Sequence, residues 1–278
     1  MKIITDSSSD LTPELIEKFG IDLVIPMKLS VDGKEYLDKV DLTNEQFYKE
    51  VLPSCTELPK TSQTTVNDFM EIYRCFPDED LLVFPLSSGL SGSYNSACVA
   101  KEMAERDNVY VVDNKATSLA LALMLEIASR KRTEGLSAAQ IKEEIEALAP
   151  RLRVYAPVET LHYLVMGGRL SKVAGFVGSA LQLKPIICLK DGVLTAVGKA
   201  RGTRGVTKLL RELVDHDPID FHYPIYFAHG DNPEGIAQVR EVFPEVSPDA
   251  YTVPVGPIIG THVGPGVTAI SYIAQETI

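Results

Sequence analysis

Apolar positions along this chain recur with two periods, and the switches between them mark out its elements. Runs at 2–5, 81–86 and 109–113 have the length of buried strands. Between and after them, 66–76, 91–106 and 119–132 carry apolar residues three and four apart, as helices do. Thr12-Pro13 opens a helix, with Thr as cap and Pro at the first helical position. Thr43-Asn44-Glu45-Gln46 and Ser137-Ala138-Ala139-Gln140 are capping boxes; the first leads into a helix at 47–52. Strands are also predicted at 23–26 and 28–31, with Asp32-Gly33 as a hairpin turn. Strands alternating with helices imply βαβ units and a mainly parallel sheet.

Near Pro150 the pattern changes. A strand at 153–159 and a short helix at 161–166 lead to the stop Gly167-Gly168. Residues 173–183 read as a helix rich in small residues. Runs at 186–189 and 193–197 flank Lys190-Asp191-Gly192 as a hairpin. A helix at 203–215, a strand at 225–229, a helix at 233–243 and strands near 251–255 and 267–273 complete the chain. The expected fold is two-domain α/β. Residues 1–152 form an N-terminal domain with a mainly parallel sheet flanked by helices. Residues 153–278 form a smaller α+β domain with a mixed sheet.

Composition narrows the function. Of 278 residues, 45% are hydrophobic and 23% charged, so the chain folds around a substantial core. A net charge of −11 argues against nucleic acid and against an anionic membrane surface. No apolar stretch is long enough to span a bilayer, and the N-terminus has no signal-peptide pattern. The cysteines Cys55, Cys75, Cys98 and Cys188 are scattered, and His162, His216, His222 and His229 lack ligand spacing. Reduced thiols, a cytoplasmic location, no metal and no cofactor are expected.

Two hydroxyl-dense segments carry the candidate chemistry: Lys60-Thr61-Ser62-Gln63-Thr64-Thr65 and Ser87-Ser88-Gly89-Leu90-Ser91-Gly92-Ser93. Each precedes a helix, and the second follows a strand. Such a junction presents hydroxyls and free N–H groups to an anion, on the sheet edge where open α/β folds bind ligands. Either segment alone is equally a set of turn and cap residues. A third segment, Ile258 to Gly266, sets three glycines around His262, which is either a hydrogen-bond donor to a carboxylate or a polar surface residue. Gly167-Gly168-Arg169 and Lys199-Ala200-Arg201 are basic points on an acidic chain. Asp6 and Asp113, at strand ends, are placed to orient loop hydroxyls or to serve in turns. The nucleophile elbow G-x-S-x-G fails at its last position around Ser91, and the phosphate-loop pattern fails between Gly192 and Lys199. Gly264 to Ala269 matches G-x-G-x-x-A but has no room for the unit that gives it meaning.

The ordered set of segments resembles the DegV family from end to end. It includes Thr5-Asp6-Ser7, Asp32-Gly33-Lys34, Pro59-Lys60-Thr61-Ser62-Gln63, Leu86-Ser87-Ser88-Gly89-Leu90-Ser91-Gly92-Ser93, Gly167-Gly168-Arg169-Leu170-Ser171-Lys172, Ala200-Arg201-Gly202 and Thr261-His262-Val263-Gly264-Pro265-Gly266. The resemblance implies a two-domain lipid-binding protein of fatty acid metabolism. It would hold a long-chain fatty acid such as palmitate in the interdomain cleft, without catalysis of its own. Some members, called FakB, present the carboxyl group to a separate fatty acid kinase. Carried over by motif, Thr61 and Ser93 would hydrogen-bond the carboxylate. Ser62 and Gly92 would add backbone donors, and His262 would close over the head group. Arg169 and Arg201 match basic positions near the head group or the partner-docking face. Asn114-Lys115-Ala116-Thr117 departs from the family's Ser-rich stretch. The small residues of 173–181 serve either a slim acyl tail or close helix packing. The alternative reading is a serine-dependent hydrolase or phosphotransferase acting at the same loops.

Overall fold

The computed structural model describes residues 1–170 and 183–276. The chain opens with β1 (Lys2–Asp6), β2 (Leu23–Ile25), β3 (Lys28–Val31), β4 (Lys34–Leu37), β5 (Lys60–Ser62), β6 (Leu81–Phe84) and β7 (Val109–Val111). Four of these form a parallel sheet in the order β2-β1-β6-β7. β6 is buried throughout, as a central parallel strand must be. Beside it, β4-β3-β5 make a small antiparallel sheet. Where the sequence reads as turn and cap residues, the structure forms the strand β5. Its pairing with β3 sets Thr61 opposite Leu29 and fixes the hydroxyl segment in a strand.

The second half supplies β8 (Leu152–Pro157), β9 (Leu183–Lys190), β10 (Val193–Arg201), β11 (Tyr226–His229), β12 (Tyr251–Pro254) and β13 (Thr268–Ile273). They form one mixed sheet, β10-β9-β8-β13-β11-β12, in which only β11 and β12 pair in parallel. Side chains alternate across this sheet with period two. Tyr155, Ile186, Cys188 and Ile270 pack with Val206, Leu210 and Val214 on one face of the helix Gly202–His216. Val154, Ala156, Ile187, Leu189 and Ala269 point the other way, toward the first half.

The helix Leu119–Thr133 joins the halves. Its residues 119–128 are all buried, so these first turns are enclosed by protein on every side. One apolar core runs from Ile3, Leu82 and Phe84 of the parallel sheet through this helix to the inner face of the mixed sheet. Glu126, buried within it, accepts a 2.6 Å hydrogen bond from the Tyr226 hydroxyl. At the hairpin between β9 and β10 the turn reaches back to the first half, where the Ser87 hydroxyl donates to the Gly192 carbonyl at 2.9 Å. The expected helix at 173–183 lies, save Leu183, outside the described residues, as do Ser171 and Lys172.

Candidate functional site

The parallel strands all end on one edge, and there the serine-rich segments collect. Asp6, the last residue of β1, accepts the Ser8 N–H at 3.1 Å and the Leu86 N–H at 2.8 Å, tying two strand ends together. Burial raises its pKa; bonds from Ser8 and Leu86 oppose the shift. Asp113 accepts from the Ser88 hydroxyl at 3.0 Å. Asp6 also accepts from the Ser8 hydroxyl, so both aspartates orient hydroxyls at the strand ends.

Against this edge lies a cavity of about 220 Å³ between the two halves. Its walls are mainly apolar: Val154, Ile187, Leu189 and Ala269 from the mixed sheet, Ile258, Ile259 and Val263 from the helix Pro257–Val263, and Leu119. One part of the wall is polar and contains Thr61, Ser62, Gln63, Ser91, Gly92, Arg169 and His262. Thr61 Oγ1 and His262 Nε2 lie 2.9 Å apart, joining residues 201 positions apart in the chain. Burial, then the nearby Arg169 guanidinium, pushes the His262 pKa down to about 4, so the ring is neutral at pH 7. Its Nδ1 has no hydrogen-bond partner among the described residues.

The glycines here allow close approach. A Cβ on Gly92 would lie 2.0 Å from Gln63 Oε1, and one on Gly167 would lie 2.5 Å from His262 Nδ1. The same polar wall has an outer side. Thr61, Arg169 and His262 also border a depression of about 560 Å³ with Glu57, Lys60, Tyr163 and Met166.

Of the residues singled out in the sequence, Thr61, Ser62, Gly92, Arg169 and His262 line the cavity together. Ser93 stands one step behind. It is fully buried, its Oγ accepts the Thr64 N–H at 3.1 Å, and it lies 3.0 Å from Ser91 Oγ. Ser91, which also accepts the Ser93 N–H at 3.2 Å, is the serine that reaches the cavity. Arg201 ends β10, is exposed, and does not line the cavity. Gln63, Thr117 and Ser118 line it without having been singled out. The hydroxyl density around Gln63 was the available signal; Thr117 closes the stretch 114–117 that departs from the family pattern, and Ser118 had no signal beyond preceding a helix. The four cysteines are free thiols. Among the described residues no cluster suits a metal ion, and no helix is long and apolar enough to cross a membrane.

Fold and site together define a two-domain α/β protein built around an apolar cavity with one polar wall. The chain belongs to the DegV family, whose model, described as an uncharacterised protein family, matches residues 1–275. A DegV domain-containing protein of Clostridium acetobutylicum is 31% identical over 277 residues, covering 99% of each chain. Among solved structures, a DegV family protein from Thermus thermophilus, described by its fatty acid binding, superposes with a TM-score of 0.86 at 29% identity, covering 99% of each chain. A stearic-acid-binding protein from Eubacterium ventriosum gives 0.87 at 28%, covering 98% of each.

Proposed function

We propose that this protein binds a long-chain fatty acid between its two halves and presents the carboxylate to a partner fatty acid kinase. The observation that carries the reading is the cavity itself: apolar on most sides, with Thr61, Ser91, Arg169 and His262 gathered on one. The carboxylate takes its place at that wall. Thr61 and Ser91 offer hydroxyls, Ser62 and Gly92 backbone donors, and Arg169 a cation. Ser93 holds Ser91 in position. Neutral His262 donates its Nε2–H to Thr61, which frees the Thr61 O–H for the carboxylate without the cost of a buried charge. The tail supplies the affinity. Each buried methylene contributes about 0.8 kcal/mol, so a sixteen-carbon chain offers on the order of 10 kcal/mol before ordering costs.

The outer depression supports the partner. It shares Thr61, Arg169 and His262 with the cavity, so a head group held there lies one side-chain layer from solvent. Exposed Met166 at its rim and Arg201 further off are candidate docking residues for the kinase. A boundary at residue 152 divides the two domains; all four strands of the parallel sheet precede it, and the mixed sheet begins there. We place the carrier in the cytoplasm. A serine hydrolase would need Ser91 on a base, whereas Ser91 and Ser93 are bonded to one another and His262 to Thr61.

Native mass spectrometry of the purified protein is expected to show one fatty acid bound per chain, released into organic solvent. A homogeneous mass equal to the bare chain, with no extractable lipid, would overturn the reading.

A further inference from the structure

The cavity has a second polar place that carboxylate binding leaves unused. Thr117 lines it, is only 8% exposed, and its Oγ1 has no hydrogen-bond partner among the described residues. A buried hydroxyl left unmatched is costly. It also immediately precedes the N-terminus of the 15-residue helix Leu119–Thr133. Ser118 occupies the cap position there, but its hydroxyl donates to Asp10 at 2.5 Å and makes no cap bond. The Thr117 carbonyl accepts the Ala120 and Leu121 N–H groups of that first turn, so the group left unmatched there is the Thr117 hydroxyl.

This place is distinct from the head-group wall. Asp10 Oδ1 accepts the Gly256 N–H at 2.9 Å, which puts Ser118 and Thr117 near the start of the helix Pro257–Val263. His262, bonded to Thr61, lies at the other end of that helix. Six helical residues span about 9 Å. A single carboxylate cannot reach both ends, but a long acyl chain can.

We propose that Thr117 forms a subsite for a hydroxyl group carried part-way along the acyl chain, so that the favoured ligand class is a hydroxy fatty acid. The inference rests on the fatty-acid reading and specifies its ligand. A ligand hydroxyl forms one hydrogen bond with the Thr117 hydroxyl, either donating to Oγ1 or accepting from its O–H, and so matches a group that a methylene leaves unmatched.

The test compares stearic acid with two of its hydroxylated forms, one hydroxylated near mid-chain and one beside the carboxyl group, by isothermal titration. The mid-chain form is expected to bind about tenfold more tightly than stearic acid, and the form hydroxylated beside the carboxyl is not. In Thr117→Val, which keeps the shape and removes the hydroxyl, the ratio of mid-chain-hydroxylated to plain affinity should fall to near one. Equal binding of stearic acid and its mid-chain form by the unaltered protein would overturn the subsite and leave the fatty-acid reading intact. So would a preference that survives Thr117→Val. Binding of none of the three would overturn both. Should the variant fail to fold, the wild-type comparison decides alone: a preference indifferent to hydroxyl position refutes the subsite.

Discussion

Thr61 and His262 are useful to a carboxylate only as a pair. The ring is neutral at pH 7, because burial and Arg169 hold its pKa to about 4. With the proton on Nε2, the ring donates to Thr61 Oγ1 and frees the Thr61 O–H for the ligand. Thr61→Ala removes that donor and leaves Nε2 unmatched in a buried place. The expected loss is about 1.5–3 kcal/mol, or roughly ten- to a hundredfold in fatty-acid affinity by calorimetry. Thr61→Ser keeps the hydroxyl and should stay within a few-fold of the unaltered protein. Undiminished affinity in Thr61→Ala would move the head group to another part of the wall. Ser93 shows how residue-level reading falls short. Two serines flank Gly92 at a helix start, and their spacing does not reveal that Ser91 faces the cavity while Ser93 is buried behind it.

At the scale of elements, the hairpin of β9 and β10 carries both a legible and an illegible part. Its turn, Asp191-Gly192, has φ of 52° and 77°, the left-handed pair that Asp-Gly favours, and the sequence alone identifies it. Its docking could not be read, because the bond from Ser87 to Gly192 joins residues 105 apart. A Cβ on Gly192 would lie 2.7 Å from Ser87 Oγ and 2.8 Å from Lys115 Cδ. Gly192→Ala is therefore expected to destabilise the fold by about 1–2 kcal/mol from backbone strain, and by more if the tip cannot shift. Urea denaturation measures this, and a variant as stable as the parent would show that the turn is not held against the first half. The same contrast runs through the fold. The capping boxes at Thr43 and Ser137 are local, and both form as the sequence indicates. β5 was missed because Lys60-Thr61-Ser62 has no apolar alternation; only its partner β3 makes it a strand. Thr61, Ser62, Gly92, Arg169 and His262 were legible through residue type and motif order. Thr117 was not, since its lack of a partner is a property of packing.

For the whole molecule, the telling group is Asp10, which joins the two halves from full burial. It accepts from Ser118 of the first half and from Gly256 of the second, and burial pushes its pKa up to about 7 from 3.8. Lys39 and the bonds from Ser118 and Gly256 pull the other way, while Asp38, itself raised to about 6 by burial, adds to the rise. A carboxyl with a raised folded pKa contributes its full stability below about pH 4 and loses it as pH climbs through about 7. The native state thus favours Asp10 protonated, a form that Asn imitates. Asp10→Asn keeps an oxygen for the Gly256 N–H and offers its NH₂ to Ser118 Oγ. Between pH 5 and 7 the parent should therefore lose stability relative to Asp10→Asn by up to about 1.4 kcal/mol per pH unit, levelling off above pH 8. His262 and His229, whose pKa values burial lowers, titrate with the opposite sign over part of this range, but they do so in both proteins and cancel in the difference. Urea midpoints at pH 5, 6, 7 and 8 for both proteins provide the measurement. Parallel pH curves would mean that Asp10 is already ionised in the folded protein, and the junction would then be held by a charged bridge instead of a neutral one.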